Sequence, residues 1–129
     1  MPTGFHHITL NVTDLARSRA FYEGLLGLRV DQDFPGEKLR LRLPDASTRL
    51  VLRPVLPGTP AGDRFSEHRV GLDHIAIAAT REEVSRLTGK LHAAGLVADL
   101  HRNRGSEHVM VTFRDPDNIQ WEFFEEDAS

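Results

Sequence analysis

The sequence predicts an α+β fold built from two tandem βαβββ modules. Residues 5–13 read FHHITLNVT and residues 72–80 read LDHIAIAAT, so that His7 aligns with His74. Both runs alternate apolar side chains with others, which is typical of half-buried strands. A helical pattern and three short strand patterns follow each run in the same order. A repeat of this kind, interrupted by a segment rich in proline and glycine, indicates a duplicated supersecondary unit.

The composition is that of an ordinary soluble domain, with 129 residues, 40% of them apolar and 27% charged. A net charge of −3 with no block of Lys or Arg gives no indication of nucleic-acid binding. The apolar runs are too short for a membrane span and no signal segment is evident, so a cytoplasmic location is expected by default. Because the chain has no cysteine, disulfides, thiolate ligands and a cysteine nucleophile are excluded.

The first module is predicted over about residues 4–55. Its first strand leads to Asp14, a residue type that caps helix N-termini because its carboxylate accepts backbone N–H bonds. The helix that follows is expected to end at Gly27, since glycine readily adopts the left-handed conformation that closes a helix. Three strands separated by proline-containing turns complete the module, over residues 29–34, 38–43 and 48–55.

Residues 56–71 are predicted to link the modules, because prolines and glycines interrupt any periodicity there. The second module covers about residues 72–126, and its helix begins with a capping box that starts at Thr80. One helical face is expected to be buried through Val84, Leu87, Leu91 and Ala94. Three strands complete this module, over residues 97–103, 107–114 and 119–126.

Three side chains that could bind a metal fall on the sheet faces that the helices leave open. Alternation along the strands places His7, His74 and Glu122 on those faces. Two imidazoles and one carboxylate are a sufficient ligand set for zinc or non-haem Fe(II), and they leave positions at which a substrate oxygen could be polarised. The competing interpretation is that both histidines are hydrogen-bonded structural or surface residues and that Glu122 is solvated.

Basic residues alternate with apolar ones in the first module. Arg49 and Arg53 share a predicted face with Val51, and a second series alternates through Lys38, Arg40 and Arg42. If these faces line a cavity, they favour a carboxylate, phosphonate or enolate-forming substrate. The alternative is that they are solvated rim or edge-strand charges, which discourage aggregation.

The other histidines are assigned by position. His108 is either a proton carrier or support for the ligands, or a surface histidine near a loop. The remaining four are expected to be surface residues: His6, His68, His92 and His101.

The two histidine strands, the helix entry DLARSRAFY at residues 14–22 and the segment DPDNIQWE at residues 115–122 resemble the vicinal oxygen chelate superfamily. This group includes glyoxalase I, extradiol dioxygenases, and fosfomycin- and bleomycin-type resistance proteins. The resemblance implies that the modules form a cup-shaped mixed sheet in a homodimeric protein acting on a small molecule. It also implies one divalent metal (Fe, Mn, Zn or Ni) held by His7, His74 and Glu122, with Glu122 as the catalytic residue.

The sequence departs from the glyoxalase pattern at Val51, where such members carry a second carboxylate. Valine can neither bind a metal nor abstract a proton, which counts against a standard glyoxalase I reaction. The reaction class stays open between lyase, isomerase, transferase and dioxygenase. The alternatives are a non-catalytic protein that sequesters a drug or natural product, and a domain whose ligand residues are vestigial. Substrate contacts are expected from Thr9, Arg49, Val51, Arg53, His108 and Gln120.

Overall fold

The structure, a computed structural model, describes residues 1–45 and 47–126. The chain divides into two compact units, one ending at Asp63 and the other beginning at Arg64. Each unit contains one four-stranded mixed sheet and one helical segment, in the order βαβββ. The predicted α+β fold of two βαβββ modules is therefore confirmed. None of the helices in the described part of the chain is long and apolar enough to cross a membrane.

The first unit begins with a strand and a capped helix. Its elements are β1 (His7–Val12), α1 (Leu15–Arg19), β2 (Arg29–Phe34), β3 (Lys38–Arg42) and β4 (Arg49–Pro54). The Asp14 carboxylate accepts a hydrogen bond from the Arg17 backbone N–H at 3.0 Å, as the sequence predicts for an N-cap. α1 continues as a π-helix over Ala20–Leu25, a widening that residue propensities do not indicate. Gly27 then adopts a φ of +73°, which ends the helical segment.

The first sheet has the strand order β1-β4-β3-β2. β1 and β4 pair in parallel, whereas the other two pairs are antiparallel. The register between β2 and β3 shifts between Val30 and Gln32, which is a β-bulge that leaves Asp31 without a partner residue. An extra residue in a strand reverses the alternation beyond it. Gln32 therefore faces the same side as its neighbour Arg40, and Asp33 faces the helix side, where it pairs with Arg19 at 2.8 Å.

The second unit repeats this plan. Its elements are β5 (Ile75–Ala79), α2 (Arg81–Ala93), β6 (Ala98–Arg102), β7 (Val109–Arg114) and β8 (Gln120–Glu125), in the sheet order β5-β8-β7-β6. His74 lies immediately before β5, not within a strand as the sequence predicts. Asn118 takes a φ of 73° in the turn before β8, a conformation that asparagine tolerates better than most residues.

In each unit, the apolar core lies between the sheet and its helical segment. The fully buried side chains of the first unit include Val12, Tyr22, Leu39, Leu41, Leu50 and Leu52. Those of the second include Val84, Leu91, Val111 and Trp121. Ala94, predicted to join the buried helical face, is exposed because α2 ends one residue before it. This packing leaves the opposite face of each sheet uncovered by its helix. That face is mostly polar and charged in the first unit, and it is mixed in the second, where Met110 and Phe124 share it with Glu122.

The N-cap of α2 allows the contribution of one capping hydrogen bond to stability to be tested. The Thr80 hydroxyl accepts a hydrogen bond from the Glu83 backbone N–H at 3.2 Å. We expect Thr80→Ala to lower the free energy of unfolding by about 1 kcal/mol, because this N–H would lose its partner. Urea denaturation measures the loss. Thr80→Ser, which keeps the hydroxyl, should recover most of it, and equal midpoints for the alanine and serine variants would contradict the capping role.

Candidate functional site

The candidate residues are positioned by the same strand register in both units. Thr9 pairs with Val51 between β1 and β4, and Ala76 pairs with Glu122 between β5 and β8. Thr9 follows His7 by two residues, as Ala76 follows His74. Val51 is therefore the structural counterpart of Glu122 in the first unit.

The second unit brings His74 and Glu122 together. The His74 Nε2 atom lies 3.6 Å from a carboxylate oxygen of Glu122, too far for a hydrogen bond. On the other side of the ring, Nδ1 lies 2.7 Å from a carboxylate oxygen of Asp73. Because an ionised carboxylate only accepts hydrogen bonds, Nδ1 carries the proton and a neutral His74 presents a lone pair at Nε2. Two acceptors, Nε2 and the Glu122 carboxylate, then face each other.

This arrangement suits two ligands of one cation. Atoms that each lie about 2.1 Å from a tetrahedral zinc are about 3.4 Å apart, close to the separation of the His74 and Glu122 atoms. A carboxylate on the far nitrogen of a ligating histidine is the usual way in which proteins orient such a ring. Glu122 is only 8% exposed, so a positive charge beside it would offset the cost of burying its own. A proton on Nε2 is the alternative cation.

His7 belongs to the first unit and is exposed. Its Nδ1 atom lies 2.8 Å from Nδ1 of His6, so one ring donates a hydrogen bond to the other. His6 is exposed, as expected of a surface residue, yet it is also the immediate partner of a candidate ligand. Within either unit taken alone, the described residues contain no group of three His, Asp or Glu side chains placed to hold a metal.

A cavity of about 270 Å³ opens on the face of the first sheet that the helix does not cover. Three of its lining residues carry a positive charge and, among the lining residues that the structure describes, none carries a negative one. Thr9, Val51 and Arg53, which the sequence analysis expects to contact the substrate, all line it. The complete lining is His6, His7, Thr9, Gln32, Lys38, Arg40, Val51 and Arg53.

Arg49, also expected to contact the substrate, is engaged elsewhere. Its Nε donates to the Asp31 carboxylate at 3.1 Å, and the same carboxylate accepts from Arg40 at 2.8 Å and from Arg42 at 3.2 Å. Burial by itself would raise the pKa of Asp31, but the hydrogen bonds from Arg49, Arg40 and Arg42 outweigh it and hold this pKa below its ordinary value. No sequence pattern marks Asp31, because only the bulge in β2 places it among the arginines.

Two other expected substrate contacts lie on the second unit. The Gln120 side-chain oxygen accepts a hydrogen bond from Arg114 at 3.0 Å, which orients the amide. His108 precedes β7 and is four residues from Thr112, the residue paired with Glu122. At about 3.3 Å per residue, this separates His108 from the level of Glu122 by about 13 Å along the strand. The structure therefore does not bring His108 to Glu122.

His101 is nearer to Glu122 than the sequence indicates. Its Nε2 atom lies 3.1 Å from the Thr112 hydroxyl oxygen, and Thr112 pairs with Glu122. His101 is exposed, as expected of a surface residue, but the pairing of β6, β7 and β8 places it on the same sheet face as the carboxylate. No repeat or motif marks this residue, so only the sheet pairing reveals it.

A model of the Glyoxalase/Bleomycin resistance protein/Dioxygenase superfamily matches residues 4–123. The chain belongs to this superfamily. The resemblance of its histidine strands to vicinal oxygen chelate proteins is thereby confirmed. A search of curated proteins gave no match to this superfamily member.

Solved structures of glyoxalase-like proteins share the fold of this superfamily member. A putative glyoxalase from Bacillus halodurans is 30% identical with a TM-score of 0.80, and 95% of each chain is covered. A glyoxylase/bleomycin resistance protein/dioxygenase domain from Frankia sp. EAN1pec is 25% identical with a TM-score of 0.82, covering 100% of this chain and 96% of that one. TnmS3, an antibiotic binding protein from a Streptomyces species, shares the fold at 21% identity and a TM-score of 0.73, with 98% of each chain covered.

The arginine cluster of this superfamily member predicts a specific dependence of stability on pH. The pKa of Asp31 is lower in the folded protein than in the unfolded chain, where it is about 3.9. The contribution of the ionised carboxylate to stability is therefore complete above the unfolded-state pKa, and it is lost as the pH falls through the folded-state pKa. We expect Asp31→Asn to reduce stability at pH 7 and to differ less from the wild type at pH 3. Urea midpoints across this range measure the effect.

Glu37→Gln provides the control for this prediction, because it removes an exposed carboxylate in the turn between β2 and β3. Its difference from the wild type should be small at both pH values. A constant difference between Asp31→Asn and wild type from pH 7 to pH 3 would contradict the role assigned to the cluster.

Proposed function

We propose that this protein is a metal-dependent enzyme acting on a small molecule, in which His7, His74 and Glu122 hold one divalent ion. The observation that carries the proposal is the Asp73–His74–Glu122 arrangement, in which two acceptor atoms face each other 3.6 Å apart and the imidazole is oriented from behind. The proposal requires His7 of the first unit to join the pair of the second, either within one chain or between two chains.

The bound ion would supply Lewis-acid chemistry by polarising substrate oxygens that occupy its open positions. The chain itself contributes Glu122, whose buried carboxylate is the group proposed to hold a substrate proton. Val51 gives the first sheet no carboxylate at the equivalent position, so a reaction needing a second base there is disfavoured. Lyase, isomerase, transferase and dioxygenase reactions that use one carboxylate fit this set. The proposal includes a cytoplasmic homodimer.

Metal content is the direct test of this proposal. We expect purified, tag-free protein to bind about one equivalent of Fe, Mn, Zn or Ni, as measured by elemental analysis after titration and desalting. His74→Ala and Glu122→Gln should each abolish stoichiometric binding, because removing one of three ligands exposes the ion to water. His68→Ala, at an exposed histidine outside the ligand set, is the matched control. Absence of divalent metal from the titrated wild type would refute the proposal.

Asp73 provides a sharper test, because it touches the histidine and not the proposed ion. We expect Asp73→Ala to weaken metal affinity by about 10- to 100-fold, since the Nδ1–H of His74 would lose the acceptor that orients the ring. Competition with a chromogenic chelator measures the affinity. Glu82→Ala, which removes an exposed carboxylate from α2, should have little effect on metal affinity. A comparable loss of affinity in both variants would mean that the change in net charge, and not the contact with His74, causes it.

A ligand-sequestering protein without turnover is the second candidate function. It is favoured by Val51, which leaves the first sheet without a base, and by the open cavity beside it. The shared fold of an antibiotic binding protein supports this alternative. A thermal-shift screen of aromatic antibiotics, with and without added metal, distinguishes the two. Stabilisation that survives metal removal, with the ligand recovered unchanged from metal-loaded protein, would favour sequestration over catalysis.

A further inference from the structure

Five of the cations on the open face of the first sheet fall into two groups. Arg40, Arg42 and Arg49 all donate to the Asp31 carboxylate, which neutralises one of their three charges. Lys38 and Arg53 have no carboxylate partner among the residues that the structure describes, and both line the 270 Å³ cavity. The cavity therefore has a surplus of positive charge. Arg40 is held in place by Asp31, whereas Lys38 and Arg53 are available to a ligand.

Arg53 is oriented without being neutralised. Its Nε donates to the Asn11 side-chain oxygen at 3.1 Å, and Asn11 is its partner in the pairing of β1 and β4. This neutral contact constrains the guanidinium plane and leaves the terminal N–H groups for a second acceptor. A planar guanidinium held in this way binds the two oxygens of a carboxylate or a phosphonate in parallel hydrogen bonds.

Lys38 supplies a second cation to the lining of the cavity. It is half-buried, and its ammonium lies 5.1 Å from the centre of the Phe34 ring, where the ring face attracts a positive charge. The bulge in β2 brings both Phe34 and Gln32 to this side of the sheet. Gln32 and Thr9 add neutral polar groups to the lining.

The position of these cations in the sheet argues against an anti-aggregation role. Such charges protect edge strands, whose backbone groups are unpaired. Lys38 lies on β3 and Arg53 on β4, the two central strands of the order β1-β4-β3-β2. Two residues before Arg53 on β4, and opposite Arg40, Val51 is half-buried and offers an apolar surface beside the charges.

We propose that this cavity binds the anionic end of the substrate, a carboxylate or a phosphonate-type oxyanion, through Arg53 and Lys38, with an apolar part of the same molecule against Val51. Arg40, which Asp31 holds in place, lines the same cavity and adds to its positive potential. The inference rests on the proposed function, since it names the substrate class of that site. A cavity of this size fits a compact molecule or one end of a larger one.

Binding to metal-free, full-length protein tests the inference separately from the metal proposal. The probes are phenylphosphonate, phenylacetate and the neutral phenylacetamide, titrated by calorimetry at fixed ionic strength. Chelator must be removed completely, because polycarboxylates would compete for the cavity. We expect both anions to bind at least tenfold more tightly than the amide. Tighter binding of phenylphosphonate than of phenylacetate would assign the site to phosphonate-type groups, and the reverse to carboxylates.

Two sets of variants locate the binding. Arg53→Gln and Lys38→Gln should each weaken anion binding about tenfold without changing amide binding, whereas Lys90→Gln, with the same charge change on α2, should leave both unchanged. Val51→Glu places a negative charge in the cavity and should abolish anion binding, whereas Val51→Gln, whose side chain has the size and shape of glutamate without its charge, should retain it. These side chains are not fully buried, so the variants should fold, which thermal unfolding verifies.

Equal binding of anions and amide, or no binding of either anion, would overturn the inference. So would an equal effect of Lys90→Gln and Arg53→Gln, because the attraction would then come from net charge. His74→Ala should retain anion binding while it loses metal. A protein that binds anions but no metal would therefore refute the proposed catalytic function and keep the anion site. A protein that binds metal but neither anion would overturn the anion site and leave the proposed function standing.

Discussion

In each unit the first strand pairs in parallel with the last. The register of this pairing determines which side chains point away from the face that the helix covers. Side chains alternate along a strand, so a slip of one residue exchanges the two faces. The observed register sets Val51 beside Thr9 and Glu122 beside Ala76. A slipped β8 would turn Glu122 into the apolar layer under α2, where an unpaired carboxylate costs on the order of several kcal/mol. Burial of the core therefore specifies the site.

The same backbone plan carries different chemistry in the two units. At the centre of the last strand, the second unit has a buried carboxylate facing His74, and the first unit has Val51 flanked by arginines. Because the apolar residues of each strand hold the fold together, the residues on the opposite face can change without disturbing the core. The proposed function follows this division, with metal ligands concentrated on the second unit and substrate charge recognised on the first.

Asp31 shows how one irregularity organises the charged face. The bulge in β2 directs this carboxylate toward three arginines on two neighbouring strands, and it accepts a hydrogen bond from each. Without it, their like charges would repel one another across the sheet. The cluster also engages Arg49 away from the cavity, whose positively charged lining residues are Lys38, Arg40 and Arg53. The Asp31 cluster and the cavity thus share one set of strands.

The sequence by itself determined the order of strands and helices, the caps at Asp14 and Thr80, and the placement of Glu122 on the open face. These features depend on alternation and on hydrogen bonds between residues three apart, which a linear pattern contains. Only the tertiary structure decided the bulge at Asp31 and the proximity of His74 to Glu122. The bulge depends on the register between β2 and β3, and the proximity of His74 to Glu122 depends on the pairing of β5 with the distant β8. No local pattern records which residue meets which.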